Sequence, residues 1–397
     1  MKKKILIFSH ALELGGAERS LIGLLSAIDP AVCDVDLFLM RHEGELMGMI
    51  PAYVNLLPEI PAYTVLARSM KDTLKEGHIL LTAARLAGKL AAGRYARKHR
   101  YTDSVVSLEY SHKFTCPFMP SIQSGTEYDL AVSFLTPHYF VAQKVTAKKK
   151  IAWIHTDYTR VQVDVPSETA MWGAYDHITS ISPAVTGSFL NVFPSLADKI
   201  VLIENILPID LLYRQAEEPA SGMEFDGIKL LSIGRFCSAK NFDNVPDICS
   251  KLVQTGLNVR WYLIGFGGDE ALIRQKITET GMSERVIVLG KKENPYPYIK
   301  ACDLYVQPSR YEGKCVTVRE AQALGKPVVI TNYATASSQL EDCVDGLIVP
   351  MENSKCAEAL ATLLNTPAHM AELARNCTQR DYSDAQEVQK LYQLLER

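Results

Sequence analysis

Residues 304–324 read LYVQPSRYEGKCVTVREAQAL, and this stretch decides the fold class. The apolar run Leu304–Gln307 is typical of a buried strand, and the apolar spacing within Val316–Leu324 predicts a helix. The polar residues around Gly313 predict the loop between them. A strand, a short loop and a helix in this order form the repeating unit of a parallel sheet covered by helices on both faces.

The alternation of strands and helices continues on both sides of this unit. Short apolar runs predict further strands at Lys4–Ser9, Val35–Met40, Val54–Leu57, Asp129–Phe134, Lys150–His155, His177–Ile181, Ile200–Ile203, Lys229–Ile233, Val259–Ile264, Val286–Leu289, Pro327–Ile330 and Leu347–Val349. Helical spacing predicts helices at Ala17–Ile28, 66–100 with an interruption at Gly77, Val245–Thr255, Glu270–Thr280 and Cys356–Asn365. This order favours an α/β protein with mostly parallel, doubly wound sheets.

The length of 397 residues suits about two domains. A polar, turn-rich segment separates the two series of strands and predicts a linker at 207–226. We therefore predict an N-terminal lobe at 1–206 and a C-terminal lobe at 227–375. The remaining residues, 376–397, have helical spacing and form a tail.

Composition excludes several classes of protein. Hydrophobic residues make up 47% and charged residues 22%, which excludes a mostly disordered chain. The net charge of −3 argues against a nucleic-acid partner, because a dedicated binder carries a strongly basic domain. The 9 cysteines are scattered without a Cys-x-x-Cys pair, which argues against disulfides and zinc and favours the cytoplasm. The run Ile5–Phe8 is too short for a signal peptide, and no stretch approaches the ~20 apolar residues of a membrane helix.

Two glutamates flank the start of the helix in the opening stretch. Glu312 precedes the helix and Glu320 lies inside it, eight positions later. The loop around Gly313 and the first helical turn leave backbone N–H groups without internal partners, which favours an anion such as a diphosphate. Carboxylates accept hydrogen bonds from sugar hydroxyls. One loop and its helix would thus hold a nucleotide-sugar. The spacing of the two glutamates by itself, however, favours two surface residues on an ordinary strand-loop-helix unit.

The loop after the first strand of the C-terminal lobe carries two cations. Gly234 and Arg235 follow the strand directly, and Lys240 comes five positions after the arginine. Ligands bind at the carboxyl edge of an open parallel sheet, and an arginine with a lysine suits a diphosphate. The alternative is a solvated lysine and an arginine paired to a nearby acid.

Three weaker signals lie at other strand ends. The pair Gly15-Gly16 precedes a helix and allows a ligand to approach the backbone closely. A lone histidine is usually structural, but His155 ends a predicted strand, where active-site residues occur. Gly265 and Lys291 follow two later strands and form either plain tight turns or a wall for a ribose or a base.

The stretch 85–100 is basic and contains no acid. Its charged residues are Arg85, Lys89, Arg94, Arg97, Lys98 and Arg100. The pattern favours a solvated helix face. The alternative is a patch that contacts anionic lipid headgroups or an anionic acceptor.

Taken together and in order, these residues resemble the retaining GT-B glycosyltransferases of group 1, family 4. The resemblance is strongest from 228 to 350. It rests on Gly15-Gly16, His155, Gly234-Arg235 with Lys240, Ile264-Gly265-Phe266-Gly267, Glu312 with Glu320, Cys302–Ser309, Gly325–Val329 and Asp345–Val349. The chain departs from the family pattern at Glu204–Asp210 before the linker and at Lys314-Cys315, which leaves the donor sugar open.

The resemblance implies two Rossmann-like lobes facing a cleft, with the tail 376–397 packing back on the first lobe. The C-terminal lobe would hold the donor and the N-terminal lobe most of the acceptor. Within this arrangement Arg235 and Lys240 would neutralise the leaving diphosphate, and Glu312 would contact the donor sugar.

The resemblance also assigns the remaining site residues. Glu320 would contact the ribose, the N–H groups near Val316 and Thr317 would support the phosphates, Gly16 would lie near the phosphate and His155 near the sugar. The expected catalytic residues are therefore Arg235, Lys240, Glu312 and His155. The expected donor-binding residues are Gly15, Gly16, Gly234, Gly265, Lys291, Val316, Thr317 and Glu320. No metal and no cofactor beyond the donor substrate is expected.

The expected function is retaining transfer of a sugar from a nucleotide-sugar, with UDP as the commoner nucleotide in such enzymes. The acceptor would be a hydroxyl of a cell-surface polysaccharide, a lipid or a teichoic-acid-type polymer. The protein would be cytoplasmic, with contact to the inner face of the membrane through 85–100 as the open alternative. Two other functions fit the fold: a sugar-nucleotide epimerase, and a non-catalytic subunit that binds a nucleotide-sugar.

Overall fold

The computed structural model describes residues 2–101, 104–159 and 161–396. The chain divides into two compact units. The first unit consists of Met1–Ile206 together with Ala385–Arg397, and the second of Leu207–Asp384. Each unit is built around one parallel sheet.

The first unit contains a seven-stranded sheet. Its strands are β1 Lys3–Ser9, β2 Cys33–Leu39, β3 Asn55–Leu56, β4 Tyr128–Ser133, β5 Ala147–Ile154, β6 His177–Ser180 and β7 Ile200–Leu202. They lie in the order β3-β2-β1-β4-β5-β6-β7, and every neighbouring pair is parallel. The chain winds outward from β1 on one side and from β4 on the other, so the order reverses between these two strands.

Helices cover both faces of this sheet. They are α1 Gly16–Ala27, α2 Pro61–Thr64, α3 Met70–Lys75, α4 Ile79–His99, α5 Val106–Thr115, α6 His138–Lys144, α7 Val165–Gly173 and α8 Pro183–Val192. Residues Ile5, Leu6, Ile7 and Phe8 of β1 are all fully buried. A continuous buried run is expected of a parallel strand that packs on both faces.

The second unit repeats this topology with six strands. They are β8 Ile228–Ile233, β9 Val259–Ile264, β10 Val286–Gly290, β11 Leu304–Gln307, β12 Val328–Thr331 and β13 Leu347–Val349. The order is β10-β9-β8-β11-β12-β13, again parallel throughout. The switch point, where the order reverses, therefore lies between β8 and β11.

Helices pack on the two faces of the second sheet over separate cores. They are α9 Ile209–Gln215, α10 Val245–Gln254, α11 Glu270–Glu279, α12 Tyr296–Ala301, α13 Val316–Ala323, α14 Ala336–Gln339, α15 Asn353–Leu364 and α16 Pro367–Thr378. Successive residues of β9 alternate between the cores: Trp261 and Leu263 join one cluster, Tyr262 and Ile264 the other. This alternation follows from the two-residue period of a strand.

In the described residues, the predicted strands are all present, with ends that differ by at most three residues. The prediction of two doubly wound parallel sheets is confirmed. Two segment boundaries differ from the sequence prediction. The segment predicted as a linker, 207–226, lies in the second unit. It contains α9, and its residues Leu212, Ala216 and Met223 are buried in one of that unit's cores.

The second difference concerns the tail, where the division falls at Ala385 and not at 376. Arg380 donates to Asp345 (Nη1 to Oδ2, 2.9 Å), and the hydroxyl of Tyr382 donates to the same oxygen (2.9 Å). These bonds to a buried carboxylate keep this part of the chain in the second unit.

The last residues belong to the first unit. A helix, α17, spans Val388–Glu396, and its residues Val388, Leu391 and Leu394 are buried. The hydroxyl of Tyr392 accepts a hydrogen bond from the amide of Asp29 (2.7 Å), while Lys149 Nζ donates to the carbonyl of Leu394 (3.0 Å). Apolar burial and these two bonds hold the tail to the first unit, as the resemblance implies.

The predicted helical stretch 66–100 is interrupted at Gly77, which has φ +84°. The arginine at its centre corrects one expectation, because Arg85 is not part of a solvated face. Its Nη1 donates to the carbonyls of Val65 (3.2 Å) and Arg68 (2.8 Å) and to Thr73 Oγ1 (2.9 Å). Arg85 thus ties α4 to α3 and to the 3-10 turn Val65–Ala67.

We predict that Arg85→Ala destabilises the first unit by about 1–3 kcal/mol, because three acceptors lose a charged donor. The measurement is thermal and urea unfolding of the purified protein. Arg94→Ala on the same helix is the matched control, since Arg94 is exposed. Equal stability of the two variants would contradict the role of Arg85.

Candidate functional site

Two loops meet at the switch point of the second unit. One loop, 234–240, leaves the carboxyl end of β8, and the other, 308–315, leaves that of β11 and leads into α13. Because β8 and β11 are neighbours in the sheet, residues 72 positions apart come into contact here. Both strongest sequence signals therefore lie at one place.

An ion pair joins the two loops. Lys240 Nζ lies 2.5 Å from Glu312 Oε1. The side chain of Lys240 is 18% exposed to solvent and that of Glu312 is 11% exposed. Burial opposes the charge on Lys240, but negative charge nearby, from the Cys315 thiolate at high pH and from Glu312, holds the pKa of the ammonium above its ordinary value. At physiological pH, where Cys315 is a neutral thiol, the carboxylate of Glu312 supplies this charge. A cation therefore persists at the switch point over the whole physiological pH range.

A chain of hydrogen bonds orients Glu312 from inside the sheet. The hydroxyl of Tyr305 donates to Gln307 Oε1 (2.7 Å), and Gln307 Nε2 donates to Ser309 Oγ (2.9 Å). Ser309 Oγ in turn donates to Glu312 Oε1 (2.5 Å). The carboxylate is thus aligned by buried groups of β11 before any ligand arrives.

The loop before α13 is fixed from a second side. Thr335 Oγ1 donates to the carbonyl of Glu312 (2.8 Å). The side chain of Gln339 accepts from the amide of Cys315 (2.6 Å) and donates to its carbonyl (3.2 Å). Burial raises the pKa of Cys315 to about 11, although Lys240 and the amides at the start of α13 favour the thiolate. Cys315 is therefore a neutral thiol beside the ion pair.

The loops after β8 and β9 touch at two glycines, and the backbone at Gly265 requires a glycine. A Cβ on Gly234 would lie 3.0 Å from Lys240 Cε, so the lysine stem covers this residue. Gly265 has φ +151°, and a Cβ there would lie 1.9 Å from the carbonyl oxygen of Gly234. The amide of Gly234 donates to Ile264 (3.0 Å) and that of Gly265 to Gly290 (3.0 Å). Gly265 thus allows the backbones of the two loops to approach closely at Gly234, the residue that the Lys240 side chain covers.

Arg235 and Lys240 differ in their surroundings. Arg235 is exposed and, within the part of the chain that the structure describes, makes no hydrogen bond or ion pair. A different arginine, Arg310, fastens the loop, with its guanidinium bound to both oxygens of Asp243 (3.0 and 2.8 Å). The alternative in which Arg235 pairs with a nearby acid is therefore not observed among those residues.

Glu320 and Lys291 occupy different environments. Glu320 has no exposed surface, and its Oε1 accepts a hydrogen bond from the hydroxyl of Tyr296 (2.9 Å). Lys291 is exposed, with Nζ 5.1 Å from the ring centre of Phe266. Val316 is buried and Thr317 is half-buried at the start of α13. The contacts expected of these residues with ribose, base and phosphate stay predictions.

The other expected residues belong to the first unit. Gly15 caps α1, and a Cβ there would lie 2.0 Å from Glu18 Oε2, while Gly16 is the first residue of the helix. His155 directly follows β5, which is separated from β1 by β4. Gly15, Gly16 and His155 thus share one edge of one sheet but leave it from different strands.

His155 faces a cavity of about 170 Å³ within the first unit. Its Nε2 is buried without a partner, so the hydrogen bond with the backbone of Phe134 involves Nδ1. Burial lowers the pKa of His155 to about 3, which keeps the ring neutral. In the neutral ring Nδ1 carries the proton that it donates to the carbonyl, and Nε2 is an acceptor.

Two buried glutamates line the same cavity, and sequence reasoning did not find them. Burial, followed by the charge of Glu109, raises the pKa of Glu168 to about 7. Burial also raises the pKa of Glu109. Glu168 Oε2 accepts from the hydroxyl of Tyr158 (3.0 Å) and from Trp172 Nε1 (3.3 Å). Nothing in the local sequence marks these residues, because they meet only through the packing of α5 and α7.

Ser309, Gln339 and Arg310 were missed as well. Ser309 and Arg310 lie within the quoted stretch at the end of β11, so their position was a usable signal. Gln339 lies 24 residues from Cys315 and has no local signal. In the ranges that the structure describes, no group of three or more His, Cys, Asp or Glu side chains is arranged to hold a metal ion.

Comparison with known proteins finds one family model that matches within the second unit. Residues 214–383 match the family model described as glycosyl transferases group 1. The amylovoran biosynthesis glycosyltransferase AmsK of Erwinia amylovora is 28% identical over 145 residues, which cover 34% of this chain and 35% of that protein.

A second relative comes from Campylobacter jejuni. Its N,N'-diacetylbacillosaminyl-diphospho-undecaprenol alpha-1,3-N-acetylgalactosaminyltransferase is 32% identical over 98 residues, which cover 24% of this chain and 26% of that protein. The chain therefore matches only about a third or less of the length of these relatives.

Two solved structures match over the whole chain. HepE of Anabaena, in complex with UDP and glucose, has a TM-score of 0.70 at 17% identity and covers 99% of both chains. A TarM mutant of S. aureus, in complex with fondaparinux, alpha-GlcNAc-glycerol and UDP, has a TM-score of 0.69 at 15% identity and covers 100% of both. At these identities the likeness concerns the fold, which is GT-B.

We predict a pH-dependent stability difference between the wild type and Glu168→Gln. A carboxyl whose pKa is raised from 4.5 to about 7 in the folded state stabilises it fully below pH 4.5 and loses this contribution as pH rises through about 7. Across this pH window the free energy of unfolding of the wild type should therefore fall by on the order of 3 kcal/mol more than that of the variant. Chemical unfolding at pH 5 and pH 8 measures the difference.

The exposed Glu218→Gln serves as the control and should follow the wild type. If Glu168→Gln also follows the wild type at both pH values, Glu168 is ionised throughout and the burial argument is wrong.

Proposed function

Since residues 214–383 match the family model of the group 1 glycosyl transferases, we propose that this protein transfers a sugar from a nucleotide-sugar to a hydroxyl acceptor. The observation that carries the proposal is the half-buried ion pair of Lys240 and Glu312 at the switch point of the second unit. A switch point is where open α/β sheets bind their ligands. The pair supplies a cation for a diphosphate and a carboxylate for sugar hydroxyls.

The chemistry of the loops supports a diphosphate donor. The loop 234–240 carries the exposed Arg235 and the charged ammonium of Lys240. The loop 308–315 leads into the N-terminal end of α13, which is the positive end of the helix dipole. Negative charge grows on the diphosphate as its bond to the sugar breaks. Preorganised cations stabilise that charge without reorganising during the reaction. UDP is the proposed nucleotide, because both solved structures of this fold quoted above contain it.

The remaining steps rest on the family resemblance. The acceptor oxygen attacks on the face that the diphosphate leaves, the departing phosphate oxygen takes its proton, and the anomeric configuration is retained. Arg235 and Lys240 take the part that a divalent ion plays in other transferases. The acceptor belongs to a cell-surface polysaccharide, a lipid or a teichoic-acid-type polymer, which agrees with the names of AmsK and the Campylobacter enzyme.

We predict that Arg235→Ala weakens UDP binding at least tenfold and slows hydrolysis of UDP-sugars by about 10²-fold or more, since one electrostatic stabiliser is lost. Isothermal titration with UDP and release of UDP from a panel of UDP-sugars are the measurements. Arg235 is exposed and holds no partner among the described residues, so its variant should keep the wild-type melting temperature. Arg274→Ala, an exposed arginine on α11, is the control.

The outcomes separate the competing functions. Unchanged UDP affinity in Arg235→Ala contradicts the diphosphate assignment. Interconversion of UDP-sugars without transfer or hydrolysis identifies an epimerase. Tight UDP-sugar binding with no turnover, even over hours, identifies a non-catalytic subunit.

We also propose that α4 contacts an anionic membrane surface from the cytoplasmic side. Its outward face carries apolar side chains that are 49–65% exposed. Exposed cations follow them on the same face, toward the C-terminal end of the helix. The apolar members are Ile79, Leu80, Leu86 and Leu90, and the cations are Arg94, Arg97 and Lys98. At 3.6 residues per turn they share one side of the helix. Such a pairing suits burial at the interface and attraction to lipid phosphates.

None of the helices in the described ranges is both long and apolar enough to span a bilayer. We predict that the wild type floats with vesicles containing anionic phosphatidylglycerol and that the double variant Leu86→Glu, Leu90→Glu does not. Leu272→Glu, at a comparably exposed leucine of the second unit, is the control and should float. The proposal is contradicted if the wild type does not float, or if the double variant Leu86→Glu, Leu90→Glu floats as the wild type does.

A further inference from the structure

A tyrosine without a hydrogen-bond partner lies beside the candidate donor site. Tyr333 follows the end of β12 by two residues, in the loop that leads to α14. It is 4% exposed, and its hydroxyl is buried without a hydrogen bond in the part of the chain that the structure describes. An unpaired buried hydroxyl lowers the stability of a folded protein, and most polar groups in native structures avoid this state. Exceptions are expected at functional positions, where a group acquires its partner only with the ligand.

The loop that carries Tyr333 supports the loop of the ion pair. Because β12 is the neighbour of β11, residues 332–335 leave the same edge of the sheet as the loop that contains Glu312. Thr335 Oγ1 donates to the carbonyl of Glu312 (2.8 Å). Tyr333 also belongs to the same buried cluster as Cys315. The tyrosine is therefore packed against the segment that carries the carboxylate.

The charges around the hydroxyl show which group it can serve. Burial, followed by Cys315 and Glu312, raises the pKa of Tyr333 above its ordinary value. The phenol therefore keeps its proton and can donate a hydrogen bond. The pKa of Cys315 is about 11, so at neutral pH the carboxylate of Glu312 is the anion that acts on this donor.

A bound diphosphate changes what Glu312 requires. In the structure Glu312 Oε1 accepts hydrogen bonds from Lys240 Nζ and from Ser309 Oγ, both at 2.5 Å. An ammonium group has three N–H donors but a single charge. When Lys240 also binds the diphosphate assigned to its loop, two anions share that charge and the carboxylate is compensated less. A half-buried carboxylate in this position is stabilised by a further hydrogen bond.

We propose that Tyr333 is a positioning residue of the donor site, whose hydroxyl donates to Glu312 when a nucleoside diphosphate binds Lys240. The inference rests on the proposed glycosyl transfer and adds a residue outside the two loops that carry the ion pair. Folding leaves this hydroxyl unpaired, and binding of the donor pairs it. The tyrosine therefore favours the ligand-bound state over the ligand-free state, since a group shifts an equilibrium only by interacting differently with its two states.

A second tyrosine supplies a matched control. Tyr262 on β9 belongs to the same cluster and is fully buried, and its hydroxyl likewise makes no hydrogen bond to any described residue. Tyr262→Phe and Tyr333→Phe each remove one unpaired buried hydroxyl. Neither substitution should lower the melting temperature of the ligand-free protein, whereas loss of a hydroxyl that already holds a partner would lower it.

The test measures UDP affinity by calorimetry for the full chain and its variants. Tyr333→Phe should weaken UDP binding about threefold to tenfold, the effect of one hydrogen bond, while Tyr262→Phe should bind UDP as the wild type does. In a Glu312→Gln background the effect of Tyr333→Phe should disappear, because no carboxylate is left to compensate. Glu312→Ala provides the same comparison in a background without any acceptor at this side chain.

The inference is overturned if Tyr333→Phe binds UDP like the wild type, or if it weakens UDP binding equally with and without the carboxylate of Glu312. It is also overturned if Tyr333→Phe lowers the melting temperature of the ligand-free protein, because the hydroxyl would then have a partner before the ligand arrives. A wild type that binds none of UDP, GDP and ADP would instead remove the proposed function. Normal UDP binding in both the wild type and Tyr333→Phe removes only the role of Tyr333.

Discussion

The contact between Lys240 and Glu312 is the constraint on which the candidate donor site depends. It exists because the strand order reverses between β8 and β11, so that loops far apart in sequence leave the sheet side by side. Two neighbouring residues fix the geometry of this contact. Gly234 leaves space for the lysine side chain, and Ser309 orients the carboxylate by a hydrogen bond. Such partners matter for a half-buried ion pair, since partial desolvation has to be offset by well-placed hydrogen bonds.

The same edge of the same kind of sheet has a different chemical character in the two units. In the second unit the edge presents cations that stay charged, which suits a leaving diphosphate. In the first unit it presents neutral His155 and carboxyl groups with raised pKa values in an aromatic wall. The two edges thus differ in burial and charge and not in topology.

The basic helix α4 shows how one pattern serves two purposes. Arg85 points inward and binds three acceptors around α3, while the later cations lie outside beside exposed leucines. The helix period separates the two sets onto opposite sides. A count of charges along the sequence cannot distinguish them, because the distinction depends on which side packs on the protein.

The sequence by itself determined the strands, the helices, the doubly wound class and the loops that carry Gly234, Lys240 and Glu312. Such features follow from apolar spacing over a few residues and from the rule that ligands bind at the carboxyl ends of parallel strands. Only the tertiary structure decided that 207–226 packs as part of the second unit and that Glu320 is fully buried. It alone placed Glu109 and His155 on the wall of one cavity, because contacts between distant segments depend on how helices pack. Local periodicity carries no information about that packing.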